Sequence, residues 1–314
     1  MITVLKPGVQ LSIQDRGRRG YRHLGVSQAG CLDPYAQIIA NKLVGNADNE
    51  AVLEVTLGLC ELQFEIDTVI AIQGADLHAS LDDTPLYPGW NYQVKAKQIL
   101  SFETGRAGLR TYIAVQGGIN VNDVMGSKST DLYAGFGGLR GKALCENDLI
   151  PIKTPPVSIG EFVKLGAIAP PKLKTIRVYA SPHTHLLGSE IIERFFSTAF
   201  KVSHNSNRMG LRLNLDEPLH HTHSVASLGT CPGSIQLPPC GEPIVLLNDA
   251  QTTGGYPLLG TVIEADLHQF AQFRPGDSIE FKQVTLEQAK LASQKLDGHV
   301  NQLSLALKYK KRAA

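Results

Sequence analysis

Period-two alternation of apolar and polar residues dominates the chain. Val9, Leu11 and Ile13 fall on one face of an extended segment; Cys60, Leu62, Phe64 and Ile66 do so after Gly58, and Leu211, Leu213 and Leu215 repeat the pattern. Each predicts a strand with one buried face. Short unbroken apolar runs at 69–72, 112–115 and 244–247 are bounded by Gly, Pro, Asn or Asp, which predicts strands buried on both faces. Helices are few and well signalled. Asp33 is placed to cap a helix that Pro34 opens, that Ile38, Ile39 and Leu43 stripe, and that Gly45 stops. A second is predicted from about Ser189 through Ile191, Ile192, Phe195 and Phe196 to Ala199. A third begins at a capping box, Thr285 to Gln288; Gly298 is expected to interrupt it, and its basic end, Lys308, Lys310, Lys311 and Arg312, to fray in solvent.

Proline pairs at Pro155-Pro156 and Pro170-Pro171 bracket a stretch, within 153–175, that lacks strong periodicity. The expected organisation is therefore a β domain over 1–155, a second over 172–285 and a helical tail over 286–314. A length of 314 residues with 43% hydrophobic residues is enough for two cores without disulfides or metal. The 30 Lys+Arg against 29 Asp+Glu leave a net charge of +1 and no clustered basic face, which removes the electrostatic case for nucleic acid. No basic segment followed by a signal-length apolar run opens the chain, and no run approaches a membrane span, so a soluble cytoplasmic protein is expected. Cys31, Cys60, Cys145, Cys231 and Cys240 are an odd set without a C-x-x-C pair, expected to be reduced thiols.

The common nucleotide-binding and hydrolase fingerprints, G-x-x-x-x-G-K-[ST], G-x-G-x-x-G, G-x-S-x-G and H-E-x-x-H, are absent. Chemistry therefore has to be sought in polar, glycine-rich segments. Asn248 to Pro257 follows a buried apolar run, and its paired glycines, Gly254 and Gly255, allow backbone to approach a ligand. Gln251, Thr252, Thr253 and Tyr256 supply donors and acceptors there, unless the segment is a loop satisfying its own backbone. In Ser203 to Arg212, Arg208 sits between short polar residues and a glycine, suited to clamp a carboxylate or phosphate bidentately or to lock a loop. Gln14 to Arg22 concentrates four arginines around Asp15, which suits an anion site or an interface with another chain. Ser129, Thr130 and Asp131 lead into the glycine-rich 135–138 segment, and Glu54, an acid inside an apolar strand, is either the buried partner of an arginine or an outward edge residue. His183, His185, His220, His221 and His223 lack helical i,i+4 spacing and companion carboxylates, so no metal site is expected.

The ordered segments Ile13-Gln14-Asp15-Arg16-Gly17-Arg18, Gly25-Val26-Ser27 to Asp33-Pro34, Glu54 to Gly58, Val115 to Ile119, Gly126 to Asp131, Ser206 to Gly210, Pro243 to Leu246 and Gln251 to Pro257 together resemble one family. It comprises the proteins called biotin-dependent carboxyltransferase or allophanate hydrolase subunit 2, among them the kinase-inhibitor antagonist KipA and the C subunit of 5-oxoprolinase. The resemblance, over about residues 1–285, implies a mainly β fold of two cyclophilin-like β-barrel domains with a few short helices. It implies two partners, a KipI-like B subunit with a further A subunit, and of the family's activities the ATP-dependent (with Mg2+) opening of 5-oxoproline to glutamate fits best. On that reading Arg208, with Asp131 or Asp15 as base, is the expected catalytic set, and Gln251, Thr252, Thr253, Gly254, Tyr256, Ser129 and Thr130 the expected substrate-binding set. The competing readings are a KipA-like regulatory binder and a carboxyltransferase of the urea carboxylase type, which would need another protein to carry biotin.

Overall fold

The computed structural model describes residues 1–153, 162–168, 170 and 172–313. The predicted proline-marked boundary falls partly on Thr154, Pro155, Pro156, Ala169 and Pro171, which lie outside the described residues. The chain divides into two compact units, one of 1–18, 29–170 and 299–314, the other of 19–28 and 171–298.

In the first unit, strands β1 (Ile2–Pro7), β2 (Gln10–Gln14), β3 (Val52–Thr56), β4 (Cys60–Phe64), β5 (Thr68–Gly74), β6 (Ser80–Leu81), β7 (Thr84–Pro85), β8 (Trp90–Val94), β9 (Ile99–Ser101), β10 (Arg110–Val115) and β11 (Leu149–Ile150) form two sheets. One runs in the order β11-β1-β4-β9-β6-β7 and the other β2-β3-β10-β5-β8. Between them lies a core to which Ile2, Val4, Leu62 and Phe64 contribute from one sheet and Leu11, Ile13, Leu53, Val55, Ile70, Ile72, Ile113 and Val115 from the other.

The second sheet is covered on its outer face by helix α1 (Pro34–Val44). Ile39 and Leu43 of this helix pack with Val52, Val69, Ala71, Tyr112 and Ala114. Alternate residues of β5 and β10 thus face the core and the helix, which is why both strands read as unbroken apolar runs. The helix begins where Asp33 Oδ1 accepts from Tyr35 N (3.1 Å) and Ala36 N (2.8 Å), and ends at Gly45 in the left-handed region. Glu54, on β3, is buried with its carboxylate 3.6 Å from the Arg110 guanidinium, so the first of its two sequence alternatives holds.

The second unit contains β12 (Thr175–Ala180), β13 (Phe200–Val202), β14 (Gly210–Asn214), β15 (Leu228–Gly229), β16 (Ser234–Gln236), β17 (Ile244–Leu246), β18 (Thr253–Gly254), β19 (Leu258–Val262) and β20 (Ser278–Gln283). Seven of these close a barrel in the order β12-β19-β16-β17-β14-β13-β20, and β15 pairs with β18 beside it. Ile176, Val178, Leu213, Ile235, Val245, Leu259 and Ile279 are buried in it. Of its short helices, α2 (Thr184–Leu187), α3 (Ser189–Ser197) and α4 (Glu264–Leu267), α3 packs through Phe195, stacked on Phe281 with ring centroids 4.8 Å apart. The mainly β class holds, with the hydrogen-bonded ring closed in the second unit.

Helix α5 spans Leu286–Ala313 without a break at Gly298. Its capping box forms as predicted, Thr285 N donating to Gln288 Oε1 (3.0 Å) and Gln288 N to Thr285 Oγ1 (3.3 Å). Residues on both sides of the glycine are anchored: Ala292 and Leu296 pack with Ile263, Ala265 and Val284, and Leu303 and Leu307 join the layer around α1. That burial outweighs the roughly 1 kcal/mol a helical glycine costs. All five cysteines are free, and among the described residues no helix is long and apolar enough to cross a membrane.

Asp33→Ala removes the acceptor of two α1 amides. The expected loss is about 1 kcal/mol, read as a lower urea midpoint at unchanged slope.

Candidate functional site

The predicted site residues fall into two groups, one in each unit. In the first, β2 leads into Asp15, which is buried. Its Oδ1 accepts from Gly17 N (2.8 Å), Ser127 Oγ (2.6 Å) and Ser129 Oγ (2.5 Å), its Oδ2 from Lys128 N (2.7 Å), and its own N–H donates to Ser129 Oγ (2.9 Å). Thr130 adds a bond from Oγ1 to Ile13 O (3.0 Å). Asp131 accepts from Tyr133 N (3.1 Å) and Ala134 N (2.9 Å) and so caps the turn leading to the 135–138 glycines. Arg18, fully buried, donates to Ser129 O (2.5 Å) and lies over Phe136. The structure therefore brings Asp15, Ser129 and Thr130 together, as a knot that fixes segment 127–131 against β2. A carboxylate already accepting four donors holds loops well, and it is a poor base until one of those bonds opens.

Asp15 also walls a small cavity of about 110 Å3 with Glu50, Asp123 and Lys128. Glu50 receives Lys153 Nζ (2.7 Å) and Lys128 Nζ (3.2 Å). Partial burial works against its ionised form, and the two ammonium groups overcome that, holding the carboxyl below its usual value.

In the second unit, Arg208 and Asp249 are both buried and form a bidentate pair, Nε to Oδ2 and Nη2 to Oδ1, each at 2.9 Å. The barrel dictates the encounter: β14 and β17 are antiparallel neighbours with Gly210 opposite Leu246, so the residues just before one strand and just after the other face each other. Asp249 N donates to Arg208 O (3.1 Å) and seals the corner. The guanidinium that the sequence offers to a substrate thus locks a loop through a carboxylate. Met209 beside it is half-buried.

Downstream of Asp249 the chain forms a short strand, β18, that pairs with β15. Thr253 pairs with Gly229 and Gly254 with Leu228. Gln251 O accepts from Thr230 Oγ1 (2.8 Å) and from Arg22 Nη2 (3.0 Å), which also donates to Thr230 O (3.0 Å). A Cβ at Gly254 would lie 2.2 Å from Gln236 Nε2, so a larger residue there would require that amide to move. The side chains of Gln251, Thr253 and Tyr256 are exposed and that of Thr252 is half-buried. Arg22 and Gln236 escaped the sequence-based set. Arg22 was visible only as one of four clustered arginines, and the usable signal for Gln236 was an amide inside a buried strand.

The cavity of about 700 Å3 lined by Arg194, Lys201, His204, Asp216, Glu217 and Glu242 takes in none of the predicted residues. Among the described residues, no group of three or more His, Cys, Asp or Glu side chains is arranged to hold a metal ion.

Residues 24–283 match the family model for the carboxyltransferase domain, subdomains A and B. The chain belongs to the carboxyltransferase-domain family. It is 40% identical over 309 residues to the C subunit of 5-oxoprolinase from Escherichia coli K12, covering 98% of this chain and 99% of that one. It is 36% identical over 310 residues to the protein of the same name in Haemophilus influenzae, covering 96% and 97%. The crystal structure of the K. lactis urea amidolyase superposes with a TM-score of 0.87 at 30% identity, over 96% of this chain and 20% of that protein. This carboxyltransferase-domain chain thus corresponds to nearly the whole of the two oxoprolinase subunits and to a fifth of the amidolyase.

In this family member, Arg208→Ala strands a buried carboxylate, Asp249, and is expected to lower stability by about 3–5 kcal/mol, seen as early thermal unfolding. For Glu50, whose folded pKa is depressed, the stabilisation is present above the unfolded value of about 4.3 and is lost as pH falls through the folded value. The stability gap between wild type and Glu50→Gln should accordingly be constant near neutrality and shrink below about pH 4; a gap independent of pH down to about 2 would contradict it.

Proposed function

We propose that the chain is the C subunit of a 5-oxoprolinase, which opens the lactam of 5-oxo-L-proline to L-glutamate together with partner chains and at the expense of ATP. The observation that carries this reading is the end-to-end match, 98% of this chain against 99% of a protein so named, at 40% identity. A likeness confined to the fold would support only the family.

The chemistry asks for activation. A γ-lactam resists water because its nitrogen is a poor leaving group, so the carbonyl oxygen is first phosphorylated by ATP. Water then adds to the ring carbon, the C–N bond breaks with a proton passing to nitrogen, and hydrolysis of the acyl phosphate releases phosphate. No nucleotide-binding fingerprint lies in this chain, and its described acidic residues do not gather into a metal site. The phosphoryl-transfer steps with Mg2+ belong to the assembled complex, with a KipI-like B subunit joined by an A subunit. What this chain offers is the segment of Gln251, Thr252, Thr253, Gly254 and Tyr256, donors just downstream of the buried Arg208–Asp249 corner. Asp15, Ser129, Thr130 and Asp131 hold the loops of the other unit, and a base role for either aspartate would require it to release its backbone donors.

The test is ADP formation by the co-purified complex in the cytoplasmic pH range. We expect turnover dependent on 5-oxoproline only when this chain and its partners are all present. Full turnover by this chain alone, or by the partners without it, would contradict the proposal, and biotin-dependent carboxylation of urea would replace it by the carboxyltransferase reading.

A further inference from the structure

Two buried nitrogen donors near strands β15 and β18 have no hydrogen-bond partner among the described residues: Arg22 Nη1 and Gln236 Nε2. They adjoin the same residue, Thr230. The other Arg22 amino group, Nη2, donates to Thr230 O and Gln251 O, and Gln236 Nε2 lies against Gly254 where Thr230 Cγ2 is also packed. Gln236 is only 2% exposed, so bulk solvent does not reach its amide, and a buried donor left unpaired is a standing loss of stability. Two of them beside Thr230 mark a place built for something that accepts hydrogen bonds.

We infer that Arg22 and Gln236 form a subsite for a carboxylate of a small ligand, one donor from each side chain to the carboxylate oxygens. The charge decides the class. Thr230, Gln236, Gln251 and Gly254 are neutral, so Arg22 is the single charge of the cluster, matched to a monoanion rather than to a dianionic phosphate. The way in is Gln251, whose exposed side chain meets Gln236 Oε1 only at 3.5 Å, too long to hold it. Swinging that side chain aside costs one marginal contact. The identity of the ligand rests on the oxoprolinase reading: 5-oxoproline carries one carboxylate beside its lactam, and fixing that carboxylate would orient the ring.

Thermal unfolding of the full chain tests this, with 5-oxoproline, with 2-pyrrolidinone (the lactam without the carboxylate), with cyclopentanecarboxylate (the carboxylate without the lactam) and with inorganic phosphate. We expect 5-oxoproline and, more weakly, cyclopentanecarboxylate to raise Tm, and 2-pyrrolidinone and phosphate to leave it in place. Gln236→Met keeps the shape of the side chain and deletes the donor; it should unfold at or above the wild-type temperature without ligand yet bind 5-oxoproline at least about tenfold more weakly. Arg22→Met should lose the ligand shift as well. Protection by cyclopentanecarboxylate that both substitutions abolish, with none by 5-oxoproline, would keep the subsite and remove the oxoprolinase assignment. Protection by 2-pyrrolidinone equal to that by 5-oxoproline, stronger protection by phosphate, undiminished protection in Gln236→Met, or no protection by either carboxylate would each overturn the subsite.

Discussion

A charge removed from water must be met by an opposite charge or by several donors, and that requirement organises the polar half of each unit. In the barrel one place where the requirement is met is the corner at which Arg208 before β14 and Asp249 after β17 close a two-point pair. The apolar strands supply the burial that drives folding, but they leave the loop ends undirected. The ion pair directs them: with Asp249 fixed, the chain leaves the barrel in one direction and the segment carrying Gln251 to Tyr256 starts from a defined place. In the first unit a lone carboxylate, Asp15, does the same with four donors from 17 and 127–129. Neither arrangement adds much net stability over a well-packed apolar replacement; what each supplies is position.

This separates groups that hold from groups that are available. The side chains most conspicuous as chemistry, Arg208, Asp15 and Asp131, have their hydrogen-bonding capacity turned inward to backbone and neighbours. The available donors are less conspicuous: Arg22, half engaged on two carbonyls, and the Gln236 amide beneath a glycine. Sites tend to retain unsatisfied groups of this kind because satisfying them internally would remove their use to a ligand.

The elements legible in the sequence were those whose causes are local. Asp33, Pro34 and Gly45 define α1 from within a single short segment, and the Thr285–Gln288 box fixes the start of α5 in the same way. The apolar runs were legible as doubly buried strands, because a covering helix abolishes alternation, although the runs do not say which helix covers them. Gly298 misled because propensity was read without the tertiary anchors at Ala292 and Leu307. The site was legible as segments and opaque as contacts. Arg22 reaches Thr230 and Gln251 across separations of 208 and 229 residues, and whether Arg208 meets a substrate or Asp249 depends on β14 and β17 being neighbours, which spacing along the chain does not encode.

The claim that a buried pair positions the polar segment after Asp249 is tested most directly by a double-mutant cycle on folding stability, with Arg208→Met, Asp249→Leu and the two combined. The account predicts that each single substitution is severely destabilising, while the double substitution recovers much of the loss, giving a coupling of about 2 kcal/mol or more. Additivity within about 0.5 kcal/mol would contradict it.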